Sequence, residues 1–287
     1  MTLRLVCWPT LVFFLLVTSV VHWYPTHVHG AINSYRRSRY DRRVNVFSPE
    51  GELLQSSYAD VAADRGELVL AAVAKDGSIV VCKQTAKGSK LLVPRPKFRL
   101  GGDVKIKRIN RLTFATFSGL RGDSLSILSK AQNFAIRLKM TVRSQIGITA
   151  IATKMSEIQY SSTLLGGERP FGVNIILMGH ESENSAKTEK PKMFCINAKG
   201  NIYQCTACAT GRGASLALEE LETAYNDELE PENVSEMLKK IARKCLDRFS
   251  TQSEGTDSDN TGNDEGDMKF DVHILRVDRP GVMEALQ

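Results

Sequence analysis

The chain has 287 residues, of which 42% are hydrophobic and 24% are charged, a profile typical of a globular protein with one sizeable core. The formal net charge of +6 is local, because arginines cluster from Arg36 to Arg43 and acids crowd the segment from Glu254 to Asp267. A basic face for nucleic acid is therefore not expected. Six irregularly spaced cysteines favour reduced thiols over a disulfide framework, and we expect no metal or cofactor.

The first thirty residues differ from the rest of the chain. Arg4 precedes an apolar run from Leu11 to Val21, and the stretch ends near Gly30, an order typical of a secretory signal peptide. The run is short for a membrane span of about 20 residues. Secretion would permit glycosylation at the sequon of Asn233. The alternative interpretation is that residues 1–30 are removed, or result from a wrongly placed start.

Periodicity and turn residues predict the elements that follow. Apolar side chains at steps of three and four indicate amphipathic helices, and the pairs Asp76-Gly77 and Lys199-Gly200 indicate hairpins, the first because both of its residues tolerate positive φ. Ser48 is expected to cap a first helix that Pro49 opens. The other predicted elements are strands at 68–73, 79–82, 105–109 and 112–118, helices with apolar faces at Leu125–Leu138 and Ile148–Ile158, strands at 173–178, 193–197 and 201–206, helices at 214–225 and 231–249, and a strand at 269–277.

The order of these elements favours one architecture. Paired strands, two helices, paired strands, two helices and a strand argue against a doubly wound parallel sheet and favour two antiparallel sheets with helices outside. Residues 250–267 are acidic and polar, and they predict a solvated, disordered loop. Thr256 and Thr261 in this loop each have an acid three residues on, which suits an acidophilic kinase.

Three segments carry a resemblance to a known family. The run from Tyr40 to Ala59 reads YDRRVNVFSPEGELLQSSYA and resembles the amino-terminal signature of proteasome α-type subunits, YDxxxxxFSPxGxLxQxxYA. Ser118-Gly119-Leu120 with Asp123, and the stretch from Gly167 to Val173, resemble the same family. Residues 166–170 most resemble the α2-type. The resemblance covers about residues 40–287.

The resemblance implies an α+β fold, the four-layer αββα sandwich of the N-terminal nucleophile hydrolase type. It implies a single domain over residues 31–287, in which residues 31–65 form a gate segment and first helix. Catalytic relatives in this family use an amino-terminal threonine as nucleophile. On that pattern Glu67 stands in place of the threonine, Lys83 in place of the supporting acid, and Lys105 in the lysine column. We therefore expect no catalytic residue.

The implied function is that of a non-catalytic α-ring subunit of the proteasome core particle, in ubiquitin-dependent protein degradation. Its implied partners are the other α-type subunits of a seven-membered ring, β-type subunits, and regulatory-particle ATPases or other activators. The resemblance assigns gate roles to Tyr40, Asp41 and Arg42, and makes Lys105 part of a pocket for activator tails. It implies a protein of the cytoplasm and nucleus without stable membrane association.

Two other functions stay open at this point. One is an active threonine peptidase of the same fold, but the presence of Glu67 argues against it. The other is a secreted binding protein, which is supported only by the leader and the sequon of Asn233. The five histidines have no acid or serine spaced for a hydrolytic triad. The pair Cys205 and Cys208 is predicted to lie on a strand as buried thiols rather than as a redox site. Arg121-Gly122-Asp123 is interpreted as a helix start, with Asp123 near the positive end of the helix dipole.

Overall fold

The computed structural model describes residues 40–84, 105–164, 168–181, 190–253, 270–276 and 282–286. The leader at residues 1–30, the arginine-rich stretch before Tyr40, and the proposed phosphorylation sites Thr256 and Thr261 lie outside these ranges. None of the helices in these ranges combines the length and the hydropathy of a membrane-spanning segment.

In the part of the chain that the structure describes, ten strands form two five-stranded antiparallel sheets. Sheet 1 has the order β10-β9-β2-β1-β8, and sheet 2 has the order β3-β4-β5-β6-β7. The strands are β1 (Val69–Val73), β2 (Ile79–Gln84), β3 (Lys107–Arg108), β4 (Thr113–Gly119), β5 (Val173–Gly179), β6 (Lys192–Ile196), β7 (Ile202–Gln204), β8 (Ala207–Thr210), β9 (Phe270–Leu275) and β10 (Met283–Leu286). The helices are α1 (Leu54–Asp64), α2 (Arg121–Val142), α3 (Ile148–Leu164), α4 (Ala214–Ala224) and α5 (Pro231–Ser253).

Alternation along the strands divides the core into three layers of side chains. Leu70 and Ala72 on β1 pack towards α4 and α5, whereas Val69 and Ala71 pack towards sheet 2. On β5, Ile175 packs towards α2 and α3. Because successive side chains of a strand point to opposite faces, each sheet supports both a helix layer and the shared layer between the sheets. The predicted αββα sandwich is confirmed.

The two predicted hairpin turns form by a common geometry that differs in detail from the expectation. Gly77 has φ +84° and Gly200 has φ +89°, and no other residue of either turn has positive φ. Gly77 donates its N–H to the Ala74 carbonyl at 2.8 Å, and Gly200 donates to that of Asn197 at 2.9 Å. Each turn is thus a three-residue loop with one left-handed residue, rather than a two-residue turn with two.

The start of the first helix was predicted too early. Ser48 forms a turn in which the Gly51 N–H donates to its carbonyl at 2.9 Å and the Glu52 N–H donates to its hydroxyl at 3.2 Å. The helix itself begins at Leu54, after Leu53. The hydroxyl that was expected to cap a helix therefore closes the turn that precedes the helix.

Other differences concern short elements and boundaries. The predicted strand at 201–206 is the shorter strand β7, which ends at Gln204, and the chain then joins sheet 1 at Ala207 as β8, a strand that was not predicted. Helix α5 continues to Ser253, so residues 250–253 of the predicted acidic loop are helical. Strand β10 was not predicted. Leu125 of α2, placed on its apolar face, is 40% exposed, and Ile127 is buried instead.

Candidate functional site

Gly66 and Glu67 join the end of α1 to the start of β1, where the resemblance predicts the position of the nucleophile in catalytic relatives. The Gly66 carbonyl accepts a hydrogen bond from the Arg212 N–H at 2.8 Å. A Cβ at Gly66 would overlap the backbone nitrogen of Gly119 and the hydroxyl of Ser118. Gly66 is therefore required by the space between α1 and β4, and this close packing holds Glu67 in place.

The Glu67 carboxylate forms an ion pair with Lys105, the residue that the resemblance places in the lysine column. Its Oε2 lies 2.7 Å from the Nζ of Lys105, whose side chain is 15% exposed. The same Nζ lies 5.7 Å from the ring centroid of Phe117, a buried residue of β4. A charged group this far removed from water requires a partner, and Glu67 supplies it. The structure thus brings together two of the three sequence-predicted positions, and adds Phe117, which sequence reasoning missed.

Lys83 lies on the neighbouring strand and has a different partner. It is 6% exposed, opposite Val69 in the β1–β2 register, and its Nζ lies 3.2 Å from Oδ2 of Asp271 on β9. The ammonium at the position where the resemblance predicts a supporting acid is thus neutralised by a carboxylate from strand β9. Asp271 was also missed, because its pairing depends on the β2–β9 register, which no local pattern reveals.

The amino-terminal segment is attached to α1 through Asp41. The Tyr58 hydroxyl donates to Oδ1 of Asp41 at 2.7 Å, and the amide of Gln55 donates to the Asp41 carbonyl. Asp41 is half-buried, whereas Arg42 and Arg43 are exposed. The anchor lies near the start of α1 and Glu67 follows its end, so the segment and Lys105 are separated by a helix of 11 residues, about 16 Å long.

A surface cavity of about 670 Å³ lies beside this anchor. It brings two of the three signature segments together, since both the amino-terminal segment and the stretch after Gly167 contribute walls. Its charged lining combines three arginines with two acids. The lining residues are Asp41, Arg42, Arg43, Val44, Asn45, Gln55, Glu168 and Arg169.

Asp123 fixes the wall that Arg169 forms. The guanidinium of Arg169 donates from two nitrogens to the two carboxylate oxygens of Asp123, at 2.6 and 2.7 Å, and the Gly172 N–H donates to the same carboxylate at 3.1 Å. Burial raises the pKa of Asp123, but the hydrogen bonds from Arg169 and Gly172 outweigh it, and the pKa lies below its ordinary value. Asp123 stands in the first turn of α2, as predicted, and also ties the third signature segment to the second.

The variant Asp123→Asn is expected to lower the free energy of unfolding by about 1–3 kcal/mol at pH 7, because a bidentate charged pair is lost. Since the folded pKa is depressed, the contribution is present above the ordinary value near 3.8 and is lost as pH falls through the folded pKa. Urea midpoints of variant and wild type should therefore converge below that pH. Glu222→Gln, an exposed change on α4, is the control. Equal midpoints at pH 7 for wild type and Asp123→Asn would contradict the expectation.

The sequon of Asn233 lies in the first turn of α5. Asn233 is exposed, but Ser235, the third residue of the sequon, is 6% exposed. The feature that favoured a secreted protein is therefore part of a packed helix rather than of a surface loop.

Comparison with known proteins gives the same family for this chain. The family model described as "Proteasome subunit" matches residues 63–258. A proteasome subunit alpha of Methanocaldococcus jannaschii is 31% identical, over 67% of this chain and 69% of its own. The proteasome subunit alpha of Methanothermobacter thermautotrophicus is 32% identical, over 66% of this chain and 71% of the relative. That of Thermococcus sibiricus is 28% identical, over 75% of this chain and 77% of the relative. The chain therefore belongs to the proteasome subunit family, as an α-type member.

Proposed function

We propose that this α-type subunit is a non-catalytic wall and gate component of a proteasome core particle. The observation that carries the proposal is the ion pair of 2.7 Å between Glu67 and Lys105. At the nucleophile position the chain offers a carboxylate and a peptide-bonded nitrogen, whereas threonine catalysis needs a hydroxyl and a free amine. Lys105, which would assist such a nucleophile, is neutralised by Glu67, the residue that stands at the nucleophile position.

Ring assembly is proposed from the relatives and from the surface around α1. Phe47 is 63% exposed, Val61 49% and Leu120 45%, so large apolar side chains face outwards beside the amino-terminal segment. Exposed apolar side chains of this size are typical of contact surfaces. Contacts between neighbouring subunits that differ on their two sides close into a ring by rotation. We propose a seven-membered ring with six other α-type subunits, stacked on β-type subunits.

The gate role is proposed for Tyr40, Asp41 and Arg42. Asp41 is held by Gln55 and Tyr58, and these contacts fix the segment that begins at Tyr40 against α1. Arg42 is exposed and lines the cavity beside the anchor, where it can pair with an acid of a neighbouring subunit. Seven such segments, each anchored on its own α1, would meet at the ring centre and cover the pore.

The pocket for activator tails is proposed at Lys105. A carboxyl-terminal carboxylate of a regulatory-particle ATPase or another activator would take the ammonium as its partner. Because Glu67 already pairs with this ammonium, docking requires that the tail displaces Glu67 or shares Lys105 with it. Since α1 connects Glu67 to the Asp41 anchor, a shift at the pocket would be transmitted along one helix to the gate segment.

We propose the cytoplasm and nucleus as the location of the assembled subunit. An apolar leader of thirty residues at the centre of a ring is hard to accommodate, so we propose that the mature chain lacks residues 1–30.

The experiment that tests the proposed function is native mass spectrometry of complexes purified through a tag at Gln287. It should recover α-type and β-type subunits together with a chain that begins after the leader. Recovery of a glycosylated monomer without such partners would contradict the proposal that the chain is a subunit of an α-ring.

The same preparation tests the alternative of an active peptidase. The isolated chain, freed of β-type subunits by high salt, should cleave no fluorogenic peptide. Glu67→Thr is expected to remain inactive as well, because its nitrogen is still bound to Gly66. Cleavage by the isolated wild-type chain would overturn the non-catalytic assignment and leave the family assignment intact.

A further inference from the structure

Three thiols gather where the chain passes from sheet 2 to sheet 1. Cys208 belongs to the buried layer between the sheets, and Cys195 and Cys205 are half-buried against the same layer. Met193 contacts two of these residues: its carbonyl accepts a hydrogen bond from the Cys205 N–H at 3.1 Å, and its Sδ lies 3.9 Å from the Cys208 Sγ. The cluster is part of neither the gate segment nor the Lys105 pocket.

The chain direction explains how Cys205 and Cys208 come to share one layer. In an extended strand, residues three apart point to opposite faces. Here the chain bends at Thr206, between the end of β7 and the start of β8, so both thiols turn towards the space between the sheets. The prediction of buried thiols on a strand is therefore confirmed for Cys208, which lies on β8, and wrong for Cys205, which lies between β7 and β8 and is only half-buried.

Access to the pair is unequal. Gln204 and Thr206, on either side of Cys205, are exposed, and Cys205 itself is half-buried, whereas Cys208 is 4% exposed. A small solute can therefore reach Cys205 first. Cys208 stands behind it as an internal partner.

The environment also separates the two thiols chemically. The side-chain hydrogen bond with Cys208 lowers the pKa of Cys205, and a backbone hydrogen bond from Cys195 acts in the same direction. Hydrogen bonds with Cys195 and Cys205, together with burial, raise the pKa of Cys208 well above its ordinary value. The accessible member is thus the better thiolate, and the buried member keeps its proton.

We propose that Cys205 and Cys208 form an oxidative modification site for small hydroperoxides, with Cys205 as the attacking thiol and Cys208 as the resolving thiol. The Cys205 thiolate attacks the peroxide, so that an S–O bond forms, the O–O bond breaks and an alcohol or water leaves. The Cys208 thiol then displaces water from the sulfenic acid, and the S–S bond forms. Two thiols are oxidised by two electrons while one hydroperoxide is reduced.

Two other cysteines serve as internal controls. Cys82 and Cys245 are each 1% exposed and lie in the layer between sheet 1 and its helices. Burial raises the pKa of Cys82 to about 12 and also raises that of Cys245. Both should react far more slowly than Cys205, by at least tenfold, because neither the thiolate nor access is provided.

The test treats the reduced full-length chain with one equivalent of hydrogen peroxide, blocks remaining thiols and digests it with trypsin. Cys205 and Cys208 share the peptide 200–212, whereas Cys195 lies in the peptide 193–199. The expected product is the peptide 200–212 lighter by two hydrogens, with Cys82 and Cys245 still alkylated. Cys208→Ser should instead accumulate a dimedone adduct at Cys205, and Cys195→Ser should keep the disulfide.

Each other result contradicts the proposal. A cross-link between the peptides 193–199 and 200–212 would assign the disulfide to Cys195. Alkylation of Cys205 at the same rate as Cys245 would show that the thiol is not activated. Cys205→Ser is expected to abolish peroxide consumption in the fast phase, and an unchanged fast phase in this variant would place the reactive thiol elsewhere.

Discussion

Replacement of Gly66 by Ala is expected to lower the free energy of unfolding by about 3 kcal/mol or more, and to prevent assembly. The added Cβ would overlap the backbone nitrogen of Gly119, which cannot rotate away as a flexible side chain can. Relief requires that α1 and β4 move apart, and this movement also displaces Glu67 from Lys105. The measurement is the urea midpoint of the purified chain, with recovery of ring complexes as the second readout.

Gly122→Ala is the matched control for this variant. Gly122 lies in the first turn of α2, and nothing stands within 4 Å of its added Cβ. Because alanine has a higher helix propensity than glycine, the free energy of unfolding of this variant should be unchanged or higher by up to about 1 kcal/mol. Equal effects of the two substitutions would show that backbone freedom, and not the contact with Gly119, decides the outcome at position 66.

The variant Glu67→Gln is expected to bind activator tails about tenfold more tightly than the wild type. An incoming carboxylate must compete with Glu67 for Lys105, and a neutral amide competes far less well than a carboxylate at 2.7 Å. A tenfold change corresponds to about 1.4 kcal/mol, which is close to the lower end of the range for a hydrogen bond to a charged group. The measurement is the Kd of a synthetic ATPase tail for the assembled particle.

Two further measurements distinguish the binding of a tail carboxylate to Lys105 from the competition between that carboxylate and Glu67. A tail with an amidated carboxyl terminus should gain nothing from Glu67→Gln, since it has no carboxylate to place on Lys105. Lys105→Ala should abolish carboxylate-dependent binding to this subunit. If Lys105→Ala has no effect, the pocket proposal fails; if it abolishes binding while Glu67→Gln changes nothing, only the competition fails.

Features of the fold that local patterns specify could be predicted from the sequence. The turns at Gly77 and Gly200 place a left-handed residue between two apolar runs, and both hairpins were found. The face of α5 that carries Val234, Leu238 and Cys245 was also found, because these residues repeat at helical spacing and are buried. Such signals depend on the residues of one element alone.

Strands β8 and β10 could not be predicted in this way. Each has only four residues, and each exists because a neighbour in sheet 1 offers free backbone groups: β1 pairs with β8, and β9 pairs with β10. The bend at Thr206, which moves the chain between sheets, has no turn residue to mark it. The neighbouring cysteines were therefore assigned to one strand.

In the candidate site, too, the residues could be identified from the sequence but the contacts between them could not. The positions of Glu67, Lys83 and Lys105 came from the resemblance, but the pairing of Glu67 with Lys105 did not. Likewise Asp41 and Tyr58 both belong to the amino-terminal signature, and their hydrogen bond exists because the turn at Ser48 reverses the chain between them. The sequence therefore located the residues, and the long-range packing determined their partners.

The order of strands in the two sheets determines when each can form during synthesis. Sheet 2 is built from strands β3 to β7 in sequence order, so it is complete once the ribosome has released β7. Sheet 1 takes β1 and β2 from the beginning of the chain and β9 and β10 from its end. The outer edge of β2 must therefore stay unpaired until β9 emerges, although sheet 2 and helices α4 and α5 can cover the faces of the β1–β2 hairpin earlier. We expect nascent chains of this subunit to depend on a chaperone that shields this hairpin until β9 arrives.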